Sequence, residues 1–433
     1  MLLEVRDLQV HFGLRGGFLQ RVLGRDVGAV KAVDGVSFSL GRGEVLGIVG
    51  ESGSGKTTLA KAVLGLLRPT AGSVVLEGEV ISKLPERRVR PLRRHMQPVF
   101  QDPRASLNPT MTIEEAVGHP LRIHRLGLTP DERRAKVAEA LERVGLVPVA
   151  RFLPRYPGEL SGGQRQRAAI ARAIILGPAL VVADEPVSML DMSVRAKILQ
   201  LLVDLKRDLG LTYIYVTHDL ATARFFCDRV AIMYLGRVVE IGTVDELYAH
   251  PRHPYTRSLL EAIPEPDPEH RIPHRLPRGE VPDAAAPPLG CAFHPRCPEA
   301  FGPCGWESRD LRSLLEARWA ALGPEEYRRE REVLGDLSGL SVPSLDVVVP
   351  AASGRGSQAV ADLLEQHRAA GPDEPLWRGV ASTHVVPAGV RVRFRAHAEP
   401  VLQEVGAAGT KVACHLYHEP VLGEPVPGEH GGA

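Results

Sequence analysis

Three short runs, VLGIVG (45–50), ALVVAD (179–184) and TYIYVT (212–217), are β-rich and almost wholly apolar. Apolar residues that do not alternate with polar ones suit strands covered on both faces, the central strands of a parallel sheet. Each run passes into polar or glycine-rich residues and then into helical spacing, so their C-terminal ends are predicted to share one reactive edge. Over residues 1 to about 262 such runs alternate with amphipathic stretches, the pattern of an α/β domain. Between them, IEEAVGHPLRIHRL and DERRAKVAEALERVGL (113–150) carry helical spacing and little strand signal, and are read as a helical subdomain inserted in the α/β core.

Beyond the α/β pattern, proline dominates residues 264–290 (IPEPDPEHRIPHRLPRGEVPDAAAPPLG and its surroundings), which predicts a linker. Farther on, LRSLLEARWAAL and EEYRREREVL have helical spacing and VPAGVRVRFRA reads as a strand. The last residues, GEPVPGEHGGA, predict disorder. At 433 residues the chain exceeds the size at which one core usually stops growing, so two or more domains are expected.

Composition narrows the setting. The chain is 44% hydrophobic and 24% charged with a formal net charge of +1, which gives no electrostatic reason to expect nucleic acid as a partner. No apolar run approaches the roughly 20 residues needed to cross a bilayer. Charges at Glu4, Arg6 and Asp7 interrupt any signal-peptide core. A cytosolic setting follows as the expectation, and there clustered cysteines read as metal ligands before disulfides.

The candidate chemistry concentrates where the apolar runs end. GESGSGKTT (50–58) follows a strand and opens a helix, the context in which G-x-x-x-x-G-K-[ST] acts as a phosphate loop. Gly50, Ser52, Gly53, Ser54 and Gly55 form the tight loop whose backbone N–H groups and helix N-terminus attract phosphate. Lys56 is expected on the β/γ-phosphates, Thr57 on Mg²⁺ and Thr58 beside it. The run ending at 184 closes with two acids, Asp184 for the Mg²⁺ shell and Glu185 for the attacking water. In isolation that pair is a solvated acidic turn; the phosphate loop upstream gives it meaning. LSGGQ, with Ser161, Gly162, Gly163 and Gln164, precedes another helical pattern. A second anion-attracting helix start on one domain is useful if it faces the γ-phosphate held by another subunit. By itself it is an ordinary helix start.

The order phosphate loop, VFQDP, LSGGQ, VVADEP, SMLD and VTHD resembles the ATP-binding cassette (ABC) ATPases over about residues 2–262. The resemblance implies a P-loop NTPase cassette with a mostly parallel core sheet, N-terminal antiparallel strands and a helical subdomain over about 105–175. It further implies that Gln101 senses the γ-phosphate, touches Mg²⁺ and faces the membrane partner, that Asp191 lies at the dimer seam, and that His218 binds the γ-phosphate. The family stacks an aromatic on adenine; Phe12 is the choice here, with His11 and Phe18 as rivals. Met189 departs from the small residue usual in that loop, a change methionine can accommodate.

The stretches AVKAVDGVSFSLGRGEVLGIVGESGSGKTT, QDPRASLNP, MYLGRVVEIG, HPRHPYTRSLLEAIPEPDP and LPRGEVPDAAAPPLGCAFHPRCP are similar to the ATP-binding subunits of oligopeptide/dipeptide importers and their nickel-uptake relatives. That likeness implies an ATPase at the cytoplasmic face of the membrane, paired with a sister ATPase on two permeases and served by an extracytoplasmic binding protein. The cargo is left open among oligopeptide, dipeptide, nickel chelate and sugar. The alternative from another class is a soluble cassette working on nucleic acid or ribosomes. A cassette that binds ATP without hydrolysing it conflicts with the intact Glu185 and His218.

Three of the five cysteines, Cys291, Cys297 and Cys304, fall in C-x5-C-x6-C spacing, and Cys414 lies in TKVACHLYHEP. The spacing leaves a metal-bound cluster, a Cys₄ zinc site and unmetallated thiols all open. The importer resemblance implies a [4Fe–4S] cluster on these four, and identifies residues 308–396 as an insertion before the fourth. The resulting organisation is a cassette over 1–262, a Pro-rich extension with the cysteines over 263–307, and the inserted α+β module. The end of the extension (397–420) and a tail (421–433) follow. Cys227 reads as a buried apolar residue.

Overall fold

The computed structural model describes residues 1–13, 29–263, 277–406 and 409–417, and the chain divides into two compact units. The first comprises Met1–His250 with Gly406–Thr410; the second comprises Pro251–Val405 with Lys411–Ala433. The first therefore ends a dozen residues before the position expected from sequence, and the helix Pro254–Glu261 belongs to the second.

In the first unit, β1 (Leu3–Gly13), β2 (Ala29–Leu40), β4 (Ala71–Leu76) and β5 (Glu79–Val80) form an antiparallel sheet in the order β2-β1-β4-β5. The core sheet runs β10-β9-β3-β8-β7-β6, from β3 (Val45–Val49), β6 (Met96–Val99), β7 (Leu180–Asp184), β8 (Thr212–Thr217), β9 (Arg229–Tyr234) and β10 (Arg237–Thr243). Every pair is parallel except β9 with β10. The three apolar runs are its central strands, and every residue of β3, β7 and β8 is buried. Their registers, Val49 opposite Thr217 and Asp184 opposite Val216, bring the three C-terminal ends to one edge.

Helices follow these ends: α1 (Lys56–Val63) after β3, α5 (Met192–Leu209) after β7 and α6 (Leu220–Phe226) after β8. Between β6 and β7 come α2 (Ile113–Ile123), α3 (Pro130–Arg143) and α4 (Gly162–Ile174). Thr112 with Glu115 and Thr129 with Glu132 form reciprocal capping boxes that start α2 and α3. Their apolar stripes bury Val117, Leu121, Val137 and Leu141.

The second unit contains α7 (Pro254–Glu261), α8 (Ser308–Ala321), α9 (Pro324–Val333) and α10 (Ser357–Ala370). An antiparallel sheet in the order β11-β13-β12 is made by β11 (Asp346–Pro350), β12 (Val380–Val386) and β13 (Gly389–Phe394). Val390, Val392 and Phe394 point to one face and are buried with Val349, Val360, Leu363 and Leu364. Helices α8 and α9 and strand β13 coincide with the three stretches legible in the sequence, while α10, β11 and β12 are additions. Phe18, residues 264–276 of the Pro-rich stretch and the final tail lie outside the described residues.

Candidate functional site

The phosphate loop joins β3 to α1. Gly55 adopts φ +99°, and a Cβ there would overlap the Ala32 carbonyl oxygen, so the position excludes a side chain twice over. Ser54 and Lys56 are buried; Ser52, Gly53 and Thr57 are exposed. Lys56 Nζ donates to the carbonyls of Gly50 and Glu51, both at 2.8 Å. Burial lowers the pKa of this ammonium, against the opposing pull of Glu185, Asp184 and Glu51. Thr57 Oγ1 donates to Asp184 Oδ1 at 3.2 Å, joining the start of α1 to the end of β7. Burial raises the Asp184 carboxyl above its ordinary value, only partly offset by that hydrogen bond.

One residue on, Glu185 takes φ +47°, a left-handed conformation that costs a non-glycine residue energy and is characteristic of functional sites. Its N–H donates to Val216 O at 2.9 Å, and its carbonyl accepts from Ser188 Oγ at 3.1 Å. Gln101 Nε2 donates to one carboxylate oxygen at 2.9 Å, and His218 Nδ1 lies 3.1 Å from the other. Residues 84 and 33 positions away thus meet at Glu185. Asp219, which sequence reasoning passed over, caps α6 through Ala221 N and Thr222 N and fixes the turn that carries His218. An Asp directly before the helical run LATARFF is a readable cap signal.

LSGGQ forms a separate, exposed surface. Ser161 caps α4 in a reciprocal box with Gln164, their hydrogen bonds spanning 3.3 and 3.1 Å. Ser161 and Gly162 are exposed, and a Cβ on Gly163 would sit 2.6 Å from Val194 Cγ1. Asp191 caps α5 by accepting from Val194 N at 3.0 Å, which with Ser193 lowers its carboxyl pKa. Met189 beside it is 63% exposed. LSGGQ and the Asp191 turn therefore pack on each other through Gly162 with Leu190 and Gly163 with Val194.

Phe12, near the end of β1, is 44% exposed. His11 is engaged instead, its Nε2 lying 3.1 Å from Asp34 Oδ1.

In the second unit Cys304 ends a 3₁₀ turn, and Cys291, Cys297 and Cys414 lie in irregular backbone. Cys291 N donates to Cys304 O at 2.9 Å, and Cys291, Cys297, Cys304 and Cys414 are all buried. None of the five cysteines is in a disulfide. Burial raises the thiols of Cys297, Cys304 and Cys414, and neighbouring thiols raise them further. His294 bridges this knot to α8, with Nδ1 2.8 Å from Cys291 O and Nε2 3.1 Å from Asp310 Oδ2. Among the described residues no group of three or more His, Cys, Asp or Glu side chains stands in metal-binding geometry. Cys227 is a separate buried thiol under β3, close to Gly47.

Comparison with known proteins places this geometry. Residues 33–188 match the ABC transporter family, and residues 239–304 match the C-terminal region of oligopeptide/dipeptide transporters. The oligopeptide transport ATP-binding protein AppF of Bacillus subtilis is 47% identical over 323 residues, 74% of this chain and 96% of its own. OppF of Escherichia coli is 46% identical over 306 residues, covering 70% and 90%. A dimeric ATP-binding cassette captured after hydrolysis with ADP and Pi bound is 31% identical at a TM-score of 0.50, over 56% of this chain and 99% of that one. The chain is an ATPase and belongs to the ABC transporters, in the oligopeptide/dipeptide transporter family.

Proposed function

We propose that this ATPase energises import of oligopeptides or dipeptides, as a peripheral subunit on the cytoplasmic face of the cell membrane. It works as a cassette dimer with a sister ATPase on two permeases, which receive cargo from an extracytoplasmic binding protein. The observation that carries the ATPase half is the Glu185 carboxylate held between Gln101 and His218, beside Lys56 and the Thr57–Asp184 pair. Lys56 and the loop N–H groups bind the β- and γ-phosphates. Glu185 takes a proton from the attacking water as its oxygen bonds to the γ-phosphorus and the bond to the leaving ADP oxygen breaks. His218 and Gln101 orient that carboxylate and contact the γ-phosphate. The hard-oxygen pair Thr57–Asp184, with Gln101, fits Mg²⁺, which when bound supplies charge neutralisation on the phosphates. Phe12 stacks on the base, and Ser161, Gly162, Gly163 and Gln164 reach the nucleotide of the sister subunit with Asp191 at the seam.

Among the described residues no helix is long and apolar enough to cross a membrane. One observation supports the membrane half. A groove of about 360 Å³ between the core and the helical subdomain is lined by Leu64, Leu66, Met96, Phe100, Ile123 and Arg172, with Phe100 next to Gln101. It offers permeases an apolar seat next to the γ-phosphate sensor.

The test is Glu185→Gln in the full chain. ATP binding is retained and turnover falls by about 10²–10⁴-fold, the range of general-base contributions. Turnover at the wild-type rate removes Glu185 from the role of base.

For the extension we propose that Cys291, Cys297, Cys304 and Cys414 hold a [4Fe–4S] cluster, with zinc as the alternative occupant. Four buried cysteines of the extension, none in a disulfide, supply the thiols it would need. Among the described residues they do not form a group in metal-binding geometry. A cluster there would fasten the extension. Iron, sulfide and zinc per chain after anaerobic purification decide the matter: about four irons with sulfide support the cluster, one zinc the alternative, and metal-free protein neither.

A further inference from the structure

The mechanism leaves unexplained a half-buried ion cluster that joins β1, β2 and β10. Asp34, on β2, has only 11% of its side chain exposed and faces three cationic or hydrogen-bonding partners from three strands. Oδ1 accepts from His11 Nε2 of β1 at 3.1 Å. Oδ2 accepts from Arg237 of β10, from Nε at 3.1 Å and Nη2 at 2.6 Å. Lys31 Nζ of its own strand stands 3.7 Å away. A paired Arg fork on one carboxylate oxygen is a strong, directional contact.

The backbone around Asp34 extends the connection to the phosphate loop. Asp34 N–H donates to Gly236 O at 2.9 Å, and Gly236 N–H donates to Ser54 O at 3.0 Å. Gly236, at φ +81°, abuts the carbonyls of Lys31 and Ala32, and Ala32 O in turn presses on Gly55. One side chain and one turn thus tie His11, the neighbour of Phe12, to the loop that receives the phosphates. An ATP molecule must touch both ends at once.

We infer that Asp34 is a positioning residue for nucleotide binding: with Arg237 and His11 it holds the Phe12 base platform at the correct distance from the phosphate loop. Asp34 touches no part of ATP. It sets where the base rests relative to where the phosphates rest, so its loss weakens base recognition and leaves phosphate recognition intact. The inference relies on Phe12 being the base platform, and the experiment separates the two.

Affinities for ATP and for inorganic triphosphate are measured on the full chain carrying Asp34→Asn, Arg237→Gln or Phe12→Ala. Triphosphate reads the phosphate loop alone and also reports whether each variant is folded. Phe12→Ala is expected to weaken ATP about tenfold, the size of one aromatic stack, with triphosphate unchanged. Asp34→Asn and Arg237→Gln are expected to weaken ATP several-fold, again sparing triphosphate. Equal loss for both ligands in the Asp34 and Arg237 variants overturns the proposal, because the cluster then supports the fold or the phosphate loop. So does unchanged ATP affinity in those variants while Phe12→Ala shows its loss. If Phe12→Ala leaves ATP binding intact, the platform assignment itself has failed, and the Asp34 proposal fails with it.

Discussion

The edge of the core sheet and the cysteine-bearing second unit both gather titratable side chains, yet they dispose of them in opposite ways. At the sheet edge Gln101, Thr57 and His218 are exposed, and Glu185 adopts a strained left-handed backbone with its carboxylate shared between two neighbours. In the second unit Cys291, Cys297, Cys304 and Cys414 are buried, and His294 spends both ring nitrogens on internal partners. Open, strained and cross-linked by single hydrogen bonds is how groups stand when a substrate is to replace their contacts. Buried and internally satisfied is how groups stand when they hold a shape. The comparison teaches that clustering alone does not mark a reactive site; exposure and replaceable partners do.

The sharpest way to break that contrast is to remove one reactive atom at the edge. Glu185→Gln keeps the hydrogen-bonding shape of the side chain and removes its basicity, hence the expected loss of about 10²–10⁴-fold in turnover with ATP still bound. Stability to urea should stay near wild type, because the side chain supports no core.

Next in size is a steric change in the same region. Gly55→Ala drives a methyl group into the Ala32 carbonyl and demands φ +99° of an alanine. Conformational conflicts of this kind cost about 1–3 kcal/mol each, so nucleotide affinity should fall by about ten- to a hundredfold. Gly53→Ala is the control: its φ is +81°, but no atom lies within 4 Å of the added methyl, so the loss should be smaller. Equal losses at both positions, read by equilibrium binding, would show that the close approach to β2 is unimportant.

Much of the edge was legible because its chemistry is written in runs that coincide with structure. Lys56, Asp184 and His218 each stand where an apolar strand ends, so a continuous stretch of sequence carries strand, turn and reactive group together. Asp34 was not legible. Its partners His11 and Arg237 lie 23 and 203 residues away, and no local period reports side-chain contacts between strands so far apart in the chain. In the second unit α8 and β13 could be read from their apolar spacing, and α9 from a run of charged helix formers without glycine. By contrast β12 is an edge strand whose residues are mostly exposed, so VASTHVV lacks the apolar alternation that marks a strand. The end of the first unit at His250 was invisible for a related reason. The periodic helix Pro254–Glu261 gives no sign of which core it joins.

The last prediction concerns the second unit and is a dependence on pH. His253 is buried, its Nδ1 accepts from Tyr255 N at 3.0 Å to cap α7, and burial lowers its pKa from 6.5 to about 3. The unfolded chain takes up a proton below about pH 6.5 that the folded ring refuses. Stability from this residue is therefore whole above pH 6.5 and declines as the pH falls towards 3, by on the order of 1.4 kcal/mol per pH unit within that window. All three tryptophans, Trp306, Trp319 and Trp377, lie in the second unit, so urea unfolding followed by tryptophan fluorescence reads it selectively. His253→Asn keeps an oxygen in place to cap the helix and removes the titration. The variant should lose less stability than wild type between pH 7 and pH 5, although other groups, such as His367 with its own lowered pKa, leave it some slope of the same sign. Parallel curves for the two proteins would mean that His253 is protonated equally in the folded and unfolded chain, and that its burial does not hold in solution.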